Sequence, residues 1–195
     1  MSVRVPLVAE TDATGDLAAI YDDIKGSLNI PFVPDMFRLL STRPDLLKAI
    51  LGGYQAIFLG GVLDRRLKET IAAWTARLNQ CPYCVGTHNF FVLAFGGTPE
   101  LTNAIETAAG VEDLPLDDKT KSLLAFTEKI TLTPWKITDG DWASTRDAGW
   151  SESEVLEASF TAALFGSITR MVDGLGLGSS VEHSRISQLP QSENA

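Results

Sequence analysis

Cys81 and Cys84, two residues apart, with His88 four positions after the second, are the residues of this chain whose types and spacing could do chemistry. The run reads Cys81-Pro82-Tyr83-Cys84-Val85-Gly86-Thr87-His88. Pro82 suits the first position of a helix, where its missing N–H is no loss. That predicts Cys81 as N-cap and Cys84 in the first turn, beside unpaired amides and the positive end of the helix dipole. A thiolate is favoured at such a place. His88 falls roughly 40° around the helix from Cys84. Helical side chains lean toward the N-terminus, so the imidazole reaches back over the sulfur. Nucleophilic sulfur chemistry needs a thiolate and a base so arranged.

The same residues admit two quieter readings. Cys84, His88, Phe91 and Phe95 lie at helical spacing and could form a core face. Cys81, Cys84 and His88 could ligate a metal, but structural zinc takes four ligands and the other histidine in the chain is His183. The expectation is a redox dithiol with no metal and no cofactor.

The bulk properties bound where such a dithiol works. The 195 residues carry a net charge of -9 and a pI of about 4.7, with no basic cluster to meet a nucleic-acid backbone. The N-terminal Met1-Ser2-Val3-Arg4-Val5-Pro6 lacks a basic-then-apolar signal pattern. Apolar runs are interrupted by Gly, Gln or charge short of the roughly 20 residues of a membrane span. The expectation is a cytoplasmic protein with no membrane partner, a setting in which paired cysteines serve redox or metal chemistry rather than a structural staple.

The elements that must position these residues read as helices throughout. Asp16 to Ser27 comes first, then an irregular stretch from Asn29 to Asp35. Pro44 opens a segment ending near Gly60-Gly61, and Asp64 caps one running to about Leu78. Asn79-Gln80 breaks the chain before the cysteine helix, which runs to Gly96-Gly97. Thr98, Asp117 and Thr138 start three more, and Ser151 with Glu154 forms a capping box for a long helix to about Val172. No segment alternates apolar and polar residues as a strand would. The class is all-α, with one helical domain over 1–178 and a polar tail over 179–195. The aromatic residues Trp74, Phe90, Phe91, Phe95, Trp135, Trp142 and Trp150 are expected mostly in the core.

Helical context also removes a decoy. Cys-Pro-Tyr-Cys is the active-site sequence of glutaredoxins, where it follows a buried strand. Here Arg65 to Leu78 precedes it as a helix. In that helix Leu67, Ile71, Trp74 and Leu78 make an apolar stripe, and Glu69 falls on the opposite side, among Ala72, Ala73 and Ala76. With a turn at Asn79-Gln80, Glu69 lies roughly 13 Å before the end of its helix and His88 about 9 Å into the next. Their heights are similar, so Glu69 is better placed to meet His88 than Cys81. The alternative is a surface glutamate among Arg65, Arg66 and Lys68.

At Leu67-Lys68-Glu69 and the Cys81 to His88 run the sequence resembles the carboxymuconolactone decarboxylase / AhpD-like alkylhydroperoxidase family. Further marks of its longer peroxidase-related branch are Ile20-Tyr21-Asp22-Asp23-Ile24, Pro31 to Pro34, Arg43-Pro44-Asp45-Leu46 and Phe165-Gly166-Ser167-Ile168-Thr169-Arg170. The resemblance implies an all-α fold, homo-oligomers (trimers or trimers of dimers), and peroxide reduction by the cysteine pair. It implies Cys84 as the peroxide-attacking thiol, Cys81 as the resolving one, and Glu69 with His88 as a proton relay. Well-characterised members carry histidine where this chain has Tyr83, whose phenol would serve as a hydrogen-bond donor rather than a base. Family decarboxylases lack the cysteines, which argues against that activity here.

The expected function is a thiol-dependent peroxidase acting on an organic hydroperoxide and recycled by an external dithiol. Two alternatives share the scaffold: a protein-disulfide reductase or redox sensor, and a catalytically silent member of the family.

Overall fold

Several helices start where a side chain holds the first free amides, and the helices opened by Pro44 and Pro82 start without such a cap. The computed structural model describes residues 3–177. In it Asp64 accepts from the Leu67 N–H at 3.0 Å, Thr98 from Leu101 and Asp117 from Thr120. Thr138 and Asp141 form a reciprocal capping box, and so do Ser151 and Glu154. Among the described residues every regular element is a helix, and the fold is all-α. The expected tail over 179–195, His183 included, lies outside the described residues.

The chain divides into two compact units. Among the described residues, the first holds those up to Gly61 together with Met171 to Leu177. It comprises α1 (Gly15–Leu28), a single-turn α2 (Asp35–Arg38) and α3 (Pro44–Phe58). α1 packs on α3, and Tyr54 of α3 stands edge-on to Phe37 of α2, centroids 5.4 Å apart. The sequence reading left 29–35 irregular and placed no helix at Asp35. That turn is held from a distance: Arg38 donates to the carbonyls of Leu7 and Val8 while pairing with Asp35.

The second unit spans Val62 to Arg170. It contains α4 (Arg65–Leu78), α5 (Pro82–Ala94), α6 (Pro99–Thr107), α7 (Asp118–Leu132), α8 (Asp139–Asp147) and most of α9 (Glu152–Gly174). Its core joins Leu67, Ile71 and Trp74 of α4 to Val92, Leu101, Ile105, Leu123, Leu124 and Val155. α4 is its central element, buried without a break from Leu67 to Ala76. Ala72, Ala73 and Ala76 of α4 are inaccessible, and α4 packs against α5 as a hairpin.

Both helices of that hairpin end in the same way. At the end of α5, Gly96 takes a left-handed φ of 82° and Gly97 N–H reaches back to the Val92 carbonyl. At the end of α4, Gln80 takes φ 59° and Cys81 N–H reaches back to the Ala76 carbonyl at 3.0 Å. Neither glycine nor asparagine announces this second closure, yet it fixes the turn before the cysteines.

Two expectations require correction. Trp74 and Trp150 are core residues, but Trp142 is exposed and Trp135 is 75% exposed. α9, 23 residues long, is sufficiently long and apolar to cross a membrane, although its sequence was expected to be interrupted too soon. Half of its most apolar window is buried within the protein, as in the core helix of a globular fold.

Candidate active site

Cys81 belongs to two helices at once. Its N–H closes α4 on Ala76, and its carbonyl accepts the Val85 N–H that opens α5. With Pro82 as the first residue of α5, Cys84 sits in the first turn, next to amides that no helical carbonyl can reach. Both cysteines are buried and not joined in a disulfide, their sulfurs 2.6 Å apart. Closing them into a disulfide therefore asks little of the backbone.

α4 supplies the carboxylate. Glu69 is 0% exposed, and its Oε2 lies 2.6 Å from His88 Nδ1. Its other oxygen, Oε1, accepts from Arg65 Nε at 2.8 Å and Nη2 at 2.7 Å. An ionised carboxylate only accepts, so the Arg65 contact assigns the hydrogen between Glu69 and His88 to Nδ1. In the neutral imidazole Nε2 is then the lone-pair nitrogen, and His88 lies one helical turn from Cys84 on the same side of α5. From α9 the ring of Phe165 stands edge-on to the imidazole, centroids 4.5 Å apart, and keeps it in place. Tyr83 is buried between the two cysteines in sequence.

The structure thus brings Glu69 to His88 and Cys81 to Cys84, two buried pairs set one turn apart on α5. Ionisable groups buried together in this way are what proton transfer to and from sulfur requires. Among the described residues no group of three or more His, Cys, Asp or Glu side chains could hold a metal ion.

Three features lay beyond the sequence reading. The alternative of a surface glutamate among Arg65, Arg66 and Lys68 does not hold, because Glu69 is buried and of the three only Arg66 is exposed, bonding the Gly96 carbonyl. Arg65 leans inward, its guanidinium over the ring of Phe95 at 4.7 Å and that of Phe91 at 6.0 Å. Its i,i+4 spacing to Glu69 was the available signal. Lys68, 3% exposed, pairs with Glu157 of α9 at 2.9 Å, a contact no local pattern announces. Thr87, between Cys84 and His88 in the helix, buries a hydroxyl with no hydrogen-bond partner among the described residues.

Residues 44–112 match the model of the Carboxymuconolactone decarboxylase family, a span that contains all of the cluster. The fold is that of an uncharacterized peroxidase-related protein from Ralstonia eutropha JMP134, described as an alkylhydroperoxidase AhpD core. The two are 22% identical over 96% of this chain and 97% of that one, with a TM-score of 0.83. A peroxidase-related protein from Silicibacter sp. TM1040 is 21% identical over 93% of each chain, with a TM-score of 0.80. The debrominase Bmp8, solved with 2,3,4-tribromopyrrole, is 16% identical over 95% of this chain and 97% of its own, with a TM-score of 0.74. At these identities the likeness is one of fold. Among curated proteins none matches the chain by sequence.

Proposed function

We propose that this chain, whose residues 44–112 match the carboxymuconolactone decarboxylase family and whose fold is AhpD-like, is a thiol-dependent peroxidase of that family. The observation that carries this reading is the wholly buried Glu69 bonded to His88, one helical turn from a pair of cysteines, not joined in a disulfide, at a helix N-terminus. Burying a carboxylate there serves no packing purpose that an apolar residue would not serve better. It does orient and polarise an imidazole beside two sulfurs.

The cycle has three balanced steps. His88 accepts the Cys84 proton, and the Cys84 thiolate attacks the terminal peroxide oxygen. The O–O bond breaks, the leaving oxygen takes the proton held by His88 to depart as alcohol, and Cys84 is left as a sulfenic acid. The Cys81 thiol then displaces water from that sulfenic acid and forms the Cys81–Cys84 disulfide. An external dithiol restores both thiols by exchange and is itself oxidised to a disulfide. Tyr83, buried and between the two cysteines in sequence, supplies a hydrogen bond to the thiolate or the peroxide.

This reading also makes the protein a cytoplasmic homo-oligomer, a trimer or a trimer of dimers. Leu156 and Phe160 are exposed one turn apart on α9, and Val62, whose N–H bonds Glu157 of that helix, is exposed beside them. An apolar patch of that kind suits a subunit contact. Light scattering on the purified protein measures the assembly, and a monomer at micromolar concentration would remove this part of the proposal.

Peroxide consumption with a dithiol donor tests the activity. Turnover is expected with organic hydroperoxides and is abolished in Cys84→Ser. Mass spectrometry after one equivalent of peroxide should show a Cys81–Cys84 disulfide. Unchanged turnover in Cys84→Ser would end the assignment. 2,3,4-tribromopyrrole belongs in the same panel, because bromide release in place of peroxide loss would move the dithiol to dehalogenation.

A further inference from the structure

The two oxygens of Glu69 have different partners. Arg65 takes Oε1 with both Nε and Nη2, at 2.8 and 2.7 Å, and His88 takes Oε2 at 2.6 Å. Arg65 is fixed from two elements. It rises from the same face of α4 as Glu69, and its guanidinium lies over the rings of Phe91 of α5 and of Phe95, the residue that ends that helix. Its side chain is 24% exposed, whereas that of Glu69 is wholly buried. Arg65 is therefore where the buried carboxylate meets a cation that is itself partly solvated.

The other charged and titratable groups near the pair have commitments of their own. On α4, Lys68 pairs with Glu157 of α9. From α9 the side chain facing His88 is Phe165. On α6, Glu106 accepts from Asn89 of α5, and on α7, Glu128 accepts from Trp74. On α5 itself Cys84 lies one turn before His88 and Cys81 caps the helix.

Resting on the relay proposed above, we infer that Arg65 is its positioning residue, the group that keeps Glu69 ionised and so decides which nitrogen of His88 carries the hydrogen. The physical reason is the asymmetry of a carboxyl group. Ionised, it can only accept, and Nδ1 of His88 must donate. Deprived of its cation, a buried carboxylate relieves its charge by taking a proton. A protonated Glu69 donates to Nδ1, the hydrogen on the ring moves to Nε2, and the nitrogen that would accept the thiol proton is lost. The fork geometry of arginine suits this role, because two donors on one oxygen fix the plane of the carboxylate and leave Oε2 turned to the ring.

The chain has two histidines, so the test is direct. Imidazole nitrogen shifts are recorded on the full-length protein at about pH 8, where an ordinary imidazole is neutral. His88→Gln assigns the His88 signals. The wild type should show a protonated Nδ1 and a lone pair on Nε2. Arg65→Met should reverse or mix the two tautomers, and kcat for hydroperoxide should fall by about 10–100-fold with KM little changed, as for loss of an outer-shell orienting partner. Arg65→Lys, which keeps the cation without the fork, should restore the tautomer and part of kcat. Should Arg65→Met not fold, Arg65→Gln keeps a hydrogen-bonding side chain without the charge and is read in the same way. A wild-type tautomer in the uncharged variant overturns the inference, whether or not the rate falls. A wild type without peroxide turnover, but with the tautomer reversed in Arg65→Met, removes the peroxidase reading and leaves the inference standing.

Discussion

α4 carries two buried ionic clusters on adjacent residues, and they end on different things. Lys68 pairs with Glu157, whose other oxygen accepts from the Val62 and Leu63 amides, so that cluster ends on the backbone turn leading into α4. Glu69 joins Arg65 to His88, and that cluster ends one turn from two thiols. Both acidic partners are engaged by a cation at ion-pair distance, although Lys68 meets Oε1 of Glu157 outside good hydrogen-bond geometry. Burial of charge is therefore not what marks a functional site. The difference lies in whether the cluster terminates on a group that can react.

Replacing one partner separates the two clusters. Lys68→Met strands Glu157 and should cost about 3–5 kcal/mol of stability, the usual result of breaking one side of a buried pair. Adding Glu157→Leu should recover much of that loss, since apolar substitutes for a buried pair are often neutral or better. Chemical denaturation of the single and double variants measures both effects. Activity per folded molecule should stay near wild type throughout; a large loss would merge the two clusters into one.

Glu69→Gln is the matching change on the other side. The amide keeps the shape but takes away the negative charge that orients and polarises His88. Peroxide turnover should fall by about 100-fold or more, within the usual range for a general acid–base partner. A stopped-flow rate for Cys84 alkylation that equals wild type would show that Glu69 serves the fold and that the contrast with Lys68 is empty.

The residues that separate these clusters differ in how far they could be read from the chain. Glu69 and His88 meet because each is a countable distance from the turn at Asn79-Gln80, so helical rise alone sets their heights. Helix starts at Asp64, Thr98, Asp117, Thr138 and Ser151 were legible because each cap bonds an amide within three residues. Lys68 was not, because its partner lies on α9, far along the chain. Arg65 was legible only through its i,i+4 spacing to Glu69, because long basic side chains at a helix start are usually solvated and the rings of Phe91 and Phe95 that it lies over belong to a later segment. Gln80 carries a left-handed φ without the glycine or asparagine that would signal it. Asp35–Arg38 is too short for periodicity, and its support comes from carbonyls near the N-terminus.

Asp64 lies upstream of both clusters and sharpens what they share. Its side chain holds the Leu67 amide, one residue before Lys68 and two before Glu69. Asp64→Ala should cost about 1 kcal/mol of stability, as for loss of an N-cap. If the first turn of α4 positions both clusters, peroxide turnover should fall modestly as well, while the effects of Asp64→Ala and Lys68→Met on stability should not add.

The Lys129–Asp141 pair between α7 and α8 is the surface counterpart of both. Asp141 also accepts from the Thr138 amide and hydroxyl, and Lys129 together with these bonds holds its carboxyl down to about 2. A carboxyl whose folded value lies below its unfolded one, about 3.9, stabilises the protein above that unfolded value. The contribution fades as the pH falls from about 4 through about 2. Melting temperatures of wild type and Asp141→Asn should therefore differ slightly at neutral pH and converge across that acid window. Salt should shrink the neutral-pH difference, because exposed charges are screened, whereas the effect of Lys68→Met should resist it. Equal salt sensitivity would mean that the Lys68–Glu157 pair is wetter than its burial indicates, and the contrast between the clusters of α4 would lose its structural half.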